Sequence, residues 1–182
     1  QGGTLLPGET SSEFFPPTDV IGAFYYFCVV DQSVSGCQSV SDVIAIEVTP
    51  GPSITSDFID QEVCVGGTMQ AWTAAYQGGT GNPSYQWYVN SSPSMSGASV
   101  IAGEVSSTYT PTSLVAGVFY YTCEISFDSG GCAEIYALFA SVLVAPDPQI
   151  TTQPFDGEEL CVGGTLDEAL YIVYSGGLGT PT

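Results

Sequence analysis

The chain has 182 residues with no lysine, arginine or histidine, and its 19 acidic residues give a formal net charge of −19. A folded chain of this charge repels polyanions, which excludes nucleic acid and anionic membrane surfaces as partners. Its apolar share of 44% and aromatic share of 12% exceed those of disordered acidic chains, so we expect it to fold.

Two sets of internal matches indicate tandem repeats. Residues 24–28, FYYFC, recur as residues 119–123, FYYTC, an offset of 95 from Cys28 to Cys123. Residues 63–68, VCVGGT, recur as residues 160–165, LCVGGT, an offset of 97 from Cys64 to Cys161. The small difference between the two offsets is typical of loop insertions.

Proline-rich joints near residues 49–55 and 145–151 separate the repeats, since proline favours an extended, stiff backbone. We therefore divide the chain into three parts. Residues 1–52 form the C-terminal half of one repeat, residues 53–147 a complete repeat, and residues 148–182 the N-terminal half of the next.

Short runs of β-branched and aromatic residues, bounded by Gly, Pro, Asn and Asp, predict an all-β fold. No segment shows a helical period, and no apolar run reaches the ~18 to 20 residues that span a bilayer. In the complete repeat the predicted strands are, in chain order, 54–58, 62–65, 68–76, 84–89, 98–102, 107–110, 117–126 and 132–144.

Two features narrow the all-β prediction to tandem immunoglobulin-like β-sandwich domains. Trp87 has the position of the core tryptophan of strand C, and Tyr121 and Cys123 have the Tyr-x-Cys spacing of strand F. The partner cysteine on strand B would fall near Ala74, so the usual disulfide is absent and Cys123 is interpreted as a small buried apolar residue. The predicted structural core includes Trp87, Tyr121, Cys123, Tyr26 and Cys28.

The missing residue types also limit chemistry. Without histidine or lysine there is no Ser-His-Asp or Cys-His arrangement, no Schiff base and no His-ligated zinc. We therefore expect no enzyme and no organic cofactor in this part of the chain.

Calcium is the one cofactor that the composition favours, because carboxylates at flexible joints suit it. The alternative is solvated surface charge, and no EF-hand, cadherin-like or RTX spacing occurs. The candidate ligands precede the second and third repeats: Asp57, Asp60, Glu62, Asp147, Asp156 and Glu158.

Tyrosines predicted on sheet faces, among them Tyr25, Tyr88 and Tyr120, are candidates for aromatic patches that contact glycans or neighbouring filaments. Packing on the sheet face is the alternative interpretation.

Several motifs together resemble the repeats of SprB-like gliding-motility adhesins, giant surface proteins of Bacteroidetes exported by the type IX secretion system. The resemblance covers essentially the whole chain, and the motifs that carry it occupy residues 63–68, 78–88, 106–111, 119–123 and 146–154. The resemblance implies a cell-surface filament that adheres to substrata, with no active site in this part.

Six cysteines fit an exported, oxidising setting, but three per repeat leave one unpaired. In repeats of the resembled kind the cysteine before Gly-Gly and the one that starts the last strand recur, which implies Cys64 paired with Cys132. Immunoglobulin topology argues against this pair, since it puts Cys64 toward the opposite end of the domain. A Cys123 to Cys132 link is the competing possibility.

The resulting functional hypothesis is a structural and adhesive segment of a long extracellular repeat filament, with neighbouring repeats and surface glycans or other substrata as partners. The alternative hypothesis is a self-assembling filament subunit whose split domain is completed by a neighbouring subunit.

Overall fold

The computed structural model describes residues 2–154, 157, 159–166 and 168–180. Every regular element in these residues is a β-strand, and the chain divides into two compact units, residues 1–51 and 52–182. The strands are β1 Gly22–Tyr26, β2 Val29–Asp31, β3 Gln38–Val40, β4 Ile44–Val48, β5 Ser53–Ile54, β6 Gln61–Cys64, β7 Trp72–Thr73, β8 Tyr76–Gln77, β9 Pro83–Asn90, β10 Ser99–Val100, β11 Thr108–Tyr109, β12 Gly117–Phe127, β13 Ile135–Tyr136, β14 Ala140–Ala145, β15 Gln149–Thr152 and β16 Val173–Ser175.

The first unit is built on two antiparallel ribbons, β1 with β4 and β2 with β3. Phe14 packs on Tyr26 with ring centroids 5.3 Å apart, and Tyr26 is half-buried. Cys28 is exposed, which corrects its predicted place in the core. The physical reason is that the described residues of this unit supply two separate two-stranded ribbons and no larger opposing sheet to cover the Cys28 position.

The larger sheet of the second unit has the strand order β10-β9-β12-β14-β6. The long strands β9 and β12 pair in continuous antiparallel register from Tyr120 opposite Asn90 to Phe127 opposite Pro83. β6 runs parallel to β14 and places Cys64 opposite Ala145. In immunoglobulin terms this is the sheet of strands A′, G, F, C and C′.

A β-bulge interrupts the last strand of the complete repeat, between β13 and β14. Glu124 is opposite Tyr136, whereas Tyr121 is opposite Ala140, so three residues on one strand face two on β12. The extra residue reverses the alternation of faces. Ala140 therefore lies in the core, while Tyr136 lies on the outer face of the sheet.

The second sheet consists of strand A (β5), strand B (β7 and β8) and strand E (β11). Strand B changes pairing partner, because β7 pairs with β11 and β8 with β5. The side-chain amide of Gln61 ties strand A′ to strand B, donating to the Gln70 carbonyl at 2.9 Å and accepting from the Gln70 amide at 2.7 Å.

Aromatic side chains between the two sheets form a closed ring of contacts. The centroid distances are 5.6 Å for Phe58 and Trp72, 5.7 Å for Trp72 and Tyr121, 5.8 Å for Tyr121 and Tyr109, 5.2 Å for Tyr109 and Trp87, and 5.2 Å for Trp87 and Phe58. Both indole groups are satisfied: Trp87 donates to the Ser106 carbonyl at 2.8 Å and Trp72 to the Ile59 carbonyl at 3.0 Å. We call these five residues the aromatic ring cluster.

The two-sheet arrangement and its strand order confirm the predicted all-β, immunoglobulin-like sandwich. Ala74 and Cys123 are both buried where the disulfide of antibody domains would lie. Trp72 and Tyr121 are in contact, and Ala74 and Cys123 are the next inward residues on their respective strands. The aromatic ring cluster therefore supplies core contacts beside a position that carries no cross-link.

Residues 148–180 belong to the second unit but have no core of their own, since almost all of the described side chains are exposed. β15 pairs with β16, which reproduces the pairing of β5 with β8 in the complete repeat. The turn after β16 contacts the joint, because the Gly177 amide donates to the Pro146 carbonyl at 2.7 Å.

Candidate functional site

The outer face of the larger sheet carries a cluster of two tyrosines around one carboxylate. Tyr88 and Glu124 alternate with the buried Trp87 and Cys123, so they point away from the core. Glu124 Oε2 accepts a hydrogen bond from the Tyr88 hydroxyl at 2.8 Å and a second from the Tyr136 hydroxyl at 3.1 Å. We call Tyr88, Glu124 and Tyr136 the tyrosine–glutamate cluster.

Both phenols of this cluster stay protonated at neutral pH. The hydrogen bond to Glu124, together with partial burial, raises the pKa of Tyr88 to about 12. Burial also raises the pKa of Tyr136, and the hydrogen bond to the same carboxylate raises it further. The shared acceptor fixes the two hydroxyl groups, so the rings are held in place with little conformational freedom.

The other predicted surface tyrosines are not members of this cluster. Tyr25, 68% exposed, is on β1 in the first unit, and Tyr120 is half-buried on β12. Sequence reasoning singled out Tyr88 but missed Glu124 and Tyr136. Glu124 fell in the predicted strand 117–126 and Tyr136 in the predicted strand 132–144, and neither run revealed the bulge that turns Tyr136 outward.

Three of the predicted calcium ligands line one groove, of about 410 Å³, between strands A′ and B. These are the exposed residues Asp57, Asp60 and Glu62, and Asp60 Oδ1 already accepts a hydrogen bond from the Ser141 amide at 2.6 Å. In the part of the chain that the structure describes, no group of three acidic, cysteine or histidine side chains could hold a metal ion.

The remaining calcium candidates are not in that groove. Asp147 is exposed in the joint after β14, while Asp156 and Glu158 lie outside the described residues. Calcium binding therefore stays a prediction. If calcium binds the folded protein, adding it should raise the melting temperature.

The structure does not bring Cys64 and Cys132 together, which corrects the predicted pairing. Cys64 is opposite Ala145, at the end of the sheet where β12 begins, and Cys132 follows the other end of this 11-residue strand. At a rise of about 3.3 Å per residue the strand spans ~33 Å, whereas bridged cysteines have Cα atoms within ~7 Å. Both residues are free thiols, as is Cys123.

Cys123 should resist thiol reagents in the folded protein. It is fully buried, and burial raises the pKa of its thiol to about 12, so the reactive thiolate is scarce at pH 8. We expect maleimide to label the exposed Cys28, Cys37 and Cys161 in native protein, and Cys123 only after denaturation, as read by peptide mass spectrometry. Native labelling of Cys123 as fast as that of Cys28 would contradict the buried position.

A carboxylate joins two loops at one end of the sandwich. Asp128 Oδ1 accepts from the Asn82 amide at 2.8 Å, and Asp128 Oδ2 accepts from Asn82 Nδ2 at 2.9 Å. These hydrogen bonds, the side-chain one first, lower the pKa of Asp128 below its ordinary value. The contact fixes the turn after strand B against the loop between strands F and G.

A depressed pKa in the folded state means that the Asp128 contact contributes stability above the ordinary Asp pKa of about 4 and loses it as pH falls further. We expect Asp128→Asn to lower the melting temperature at about pH 7, and the difference from wild type to shrink toward about pH 2. Glu134→Gln, at an exposed carboxylate in the same loop, is the matched control. An equal effect of Asp128→Asn at both pH values would show that this carboxylate is not the titrating contact.

No helix in the described residues has the length and apolar character needed to cross a membrane.

Comparison with models of protein families and with curated proteins gave no match. Among solved structures, the chain is similar to Sidekick-1 immunoglobulin domains 1–4, with 19% identity and a TM-score of 0.42, over 77% of this chain and 38% of that one. Sidekick-1 immunoglobulin domains 1–5 give 19% identity and a TM-score of 0.41, over 77% of this chain and 30% of that one. The chain thus spans less than two fifths of either protein.

Proposed function

We propose that this chain is a non-catalytic structural and adhesive segment of a long extracellular repeat filament at a bacterial surface, serving adhesion or gliding. The observation that carries the proposal is the joint between consecutive repeats. The Gly177 amide donates to the Pro146 carbonyl at 2.7 Å, so the start of the following repeat is held against the end of the complete sandwich. Such a joint suits a chain that must extend and bear load.

The charge of the chain supports an exposed location. A chain without basic residues forms no side-chain salt bridge, and trypsin-like proteases that require Lys or Arg have no cleavage site. A net charge of −19 also keeps neighbouring filaments apart through mutual repulsion.

The tyrosine–glutamate cluster is the proposed adhesive contact within the repeat. Its rings offer apolar faces and its polar atoms offer hydrogen bonds, a combination that suits uncharged sugar surfaces. Attachment to glycan-coated surfaces should fall when Tyr88→Ala and Tyr136→Ala are combined. Val100→Ala, at an exposed edge position beside Tyr88, is the control that should leave attachment unchanged.

The experiment that tests the adhesive role uses the cells that produce the protein. Monovalent antibody fragments raised against residues 53–147 should reduce attachment of intact cells to a surface. Fragments that bind the cells and leave attachment and movement unchanged would overturn the adhesive role.

A split subunit is the second candidate function. Among the described residues β1 pairs with β4 alone, which leaves its other edge open to a strand from a neighbouring molecule. The mass of the native product distinguishes the candidates, since a chain of 18.9 kDa fits the subunit and a chain many times larger fits the filament.

A further inference from the structure

Two recurring cysteines lie at opposite ends of the complete sandwich. Cys64 is next to the exit of the chain: it is opposite Ala145, the last residue of β14, and the following Val65 amide donates to the Ala145 carbonyl at 3.0 Å. Its neighbours Val63 and Val65 pack on the core, so the Cys64 side chain points outward.

Cys132 is next to the entry of the chain. Its Sγ lies 3.7 Å from Thr80 Oγ1, in the turn after strand B. In the same turn, a Cβ built on Gly79 would lie 3.2 Å from Pro52 Cβ, so this turn packs on the proline that leads into the repeat. Cys132 therefore belongs to the end of the sandwich at which the chain enters it.

The joint after Ala145 reproduces this arrangement for the following repeat. A Cβ on Gly177 would lie 3.3 Å from Pro148 Cβ, which matches the Gly79 contact with Pro52. The sequence YSGGLGTP at 174–181 also matches YQGGTGNP at 76–83, so Leu178 takes the place of Thr80. The loop cysteine of a following repeat would then lie beside Leu178, at the joint where Cys64 emerges.

We propose that in an array of these repeats Cys64 forms a disulfide with the cysteine of the following repeat that corresponds to Cys132. Cys132 in turn pairs with the Cys64 equivalent of the preceding repeat. The inference rests on the proposed array. It assigns all three cysteines of a repeat: two link neighbours, and the buried Cys123 stays reduced.

The cross-link forms by thiol–disulfide exchange with a small disulfide such as oxidised glutathione, or with a disulfide oxidoreductase. One cysteine thiolate attacks the donor disulfide and releases one thiol. The second thiolate then attacks the mixed disulfide and releases the other thiol. The two cysteines lose two protons and two electrons, and the donor is reduced to two thiols.

The test uses the whole chain with residues 53–147 duplicated, so that residues 1–147 are followed by residues 53–182. After oxidation with glutathione disulfide, we expect one linked peptide pair containing Cys64 and Cys132, lighter by two hydrogens than the two separate reduced peptides together. Digestion requires pepsin or a glutamate-specific protease, because trypsin has no cleavage site.

Single substitutions identify which copies are joined, since the two copies have identical peptides. Cys64→Ser in the first copy or Cys132→Ser in the second should abolish the link. Cys64→Ser in the second copy or Cys132→Ser in the first should leave it intact. Circular dichroism of all four variants checks that each is folded.

Several results would overturn the proposal: loss of the link in the second-copy Cys64→Ser variant, a Cys123 to Cys132 link, or thiols that stay free in folded, oxidised protein. The measurement is made on purified protein, so it does not depend on surface location or attachment. If the adhesive role failed, the proposed disulfide would still stand. If the disulfide did not form, the adhesive role would be unaffected.

Discussion

Replacing Trp87 by alanine should lower the free energy of unfolding of the sandwich by about 3–5 kcal/mol, the usual loss for a large buried aromatic side chain. Trp87 is fully buried and contacts both Phe58 and Tyr109, so its replacement by alanine removes both of these ring contacts from the aromatic ring cluster. The Ser106 carbonyl also loses the indole donor at 2.8 Å. Urea denaturation followed by circular dichroism measures the loss.

Two further variants separate the causes. Trp87→Phe keeps a ring and loses the indole donor, so its effect should be smaller than that of the alanine variant. Val100→Ala, at an exposed position of the edge strand β10, should change stability by less than about 0.5 kcal/mol. If Trp87→Ala and Val100→Ala have similar effects, the aromatic ring cluster does not stabilise the fold.

Introducing cysteine at Ala74 should create the disulfide that the sandwich lacks. Ala74 and Cys123 are buried inward neighbours of Trp72 and Tyr121, whose rings are 5.7 Å apart across the two sheets. Closing a loop of about 50 residues stabilises a domain by up to ~4 kcal/mol in the chain-entropy estimate, and we expect about 2–4 kcal/mol. The readouts are loss of the Cys123 thiol and a higher melting temperature after oxidation.

Ala74→Ser is the control, since serine is similar in size to cysteine and cannot form a disulfide. We expect it to destabilise the domain, under reducing and oxidising conditions alike. The introduced cysteine and Cys123 could both remain free thiols in the Ala74→Cys protein under conditions that oxidise the exposed cysteines. Strands B and F would then not face each other as the immunoglobulin-like arrangement requires.

The long strands of the core were predictable because they are rich in β-branched and aromatic residues. The predictions of 84–89 and 117–126 agree closely with β9 at Pro83–Asn90 and β12 at Gly117–Phe127. Trp87 could be placed for the same reason, since its spacing to Tyr121 and Cys123 is fixed by two neighbouring strands in register.

Features that depend on partner strands were not predictable. The run at 132–144 looked like one strand, yet the bulge between Tyr136 and Ala140 divides it, because three residues there face two on β12. The tyrosine–glutamate cluster depends on this bulge and therefore could not be found from local pattern. For Cys64 the topology argument from the sequence was correct and the pairing implied by the resemblance was wrong, since β6 joins β14 and places Cys64 opposite Ala145.

The most direct test of the proposed surface filament is electron microscopy of intact producing cells labelled with gold-conjugated antibody fragments against residues 53–147. We predict gold on extended material outside the cell envelope, without permeabilisation. Gold confined to the cell interior in sectioned cells, with none on intact cells, would contradict the proposal.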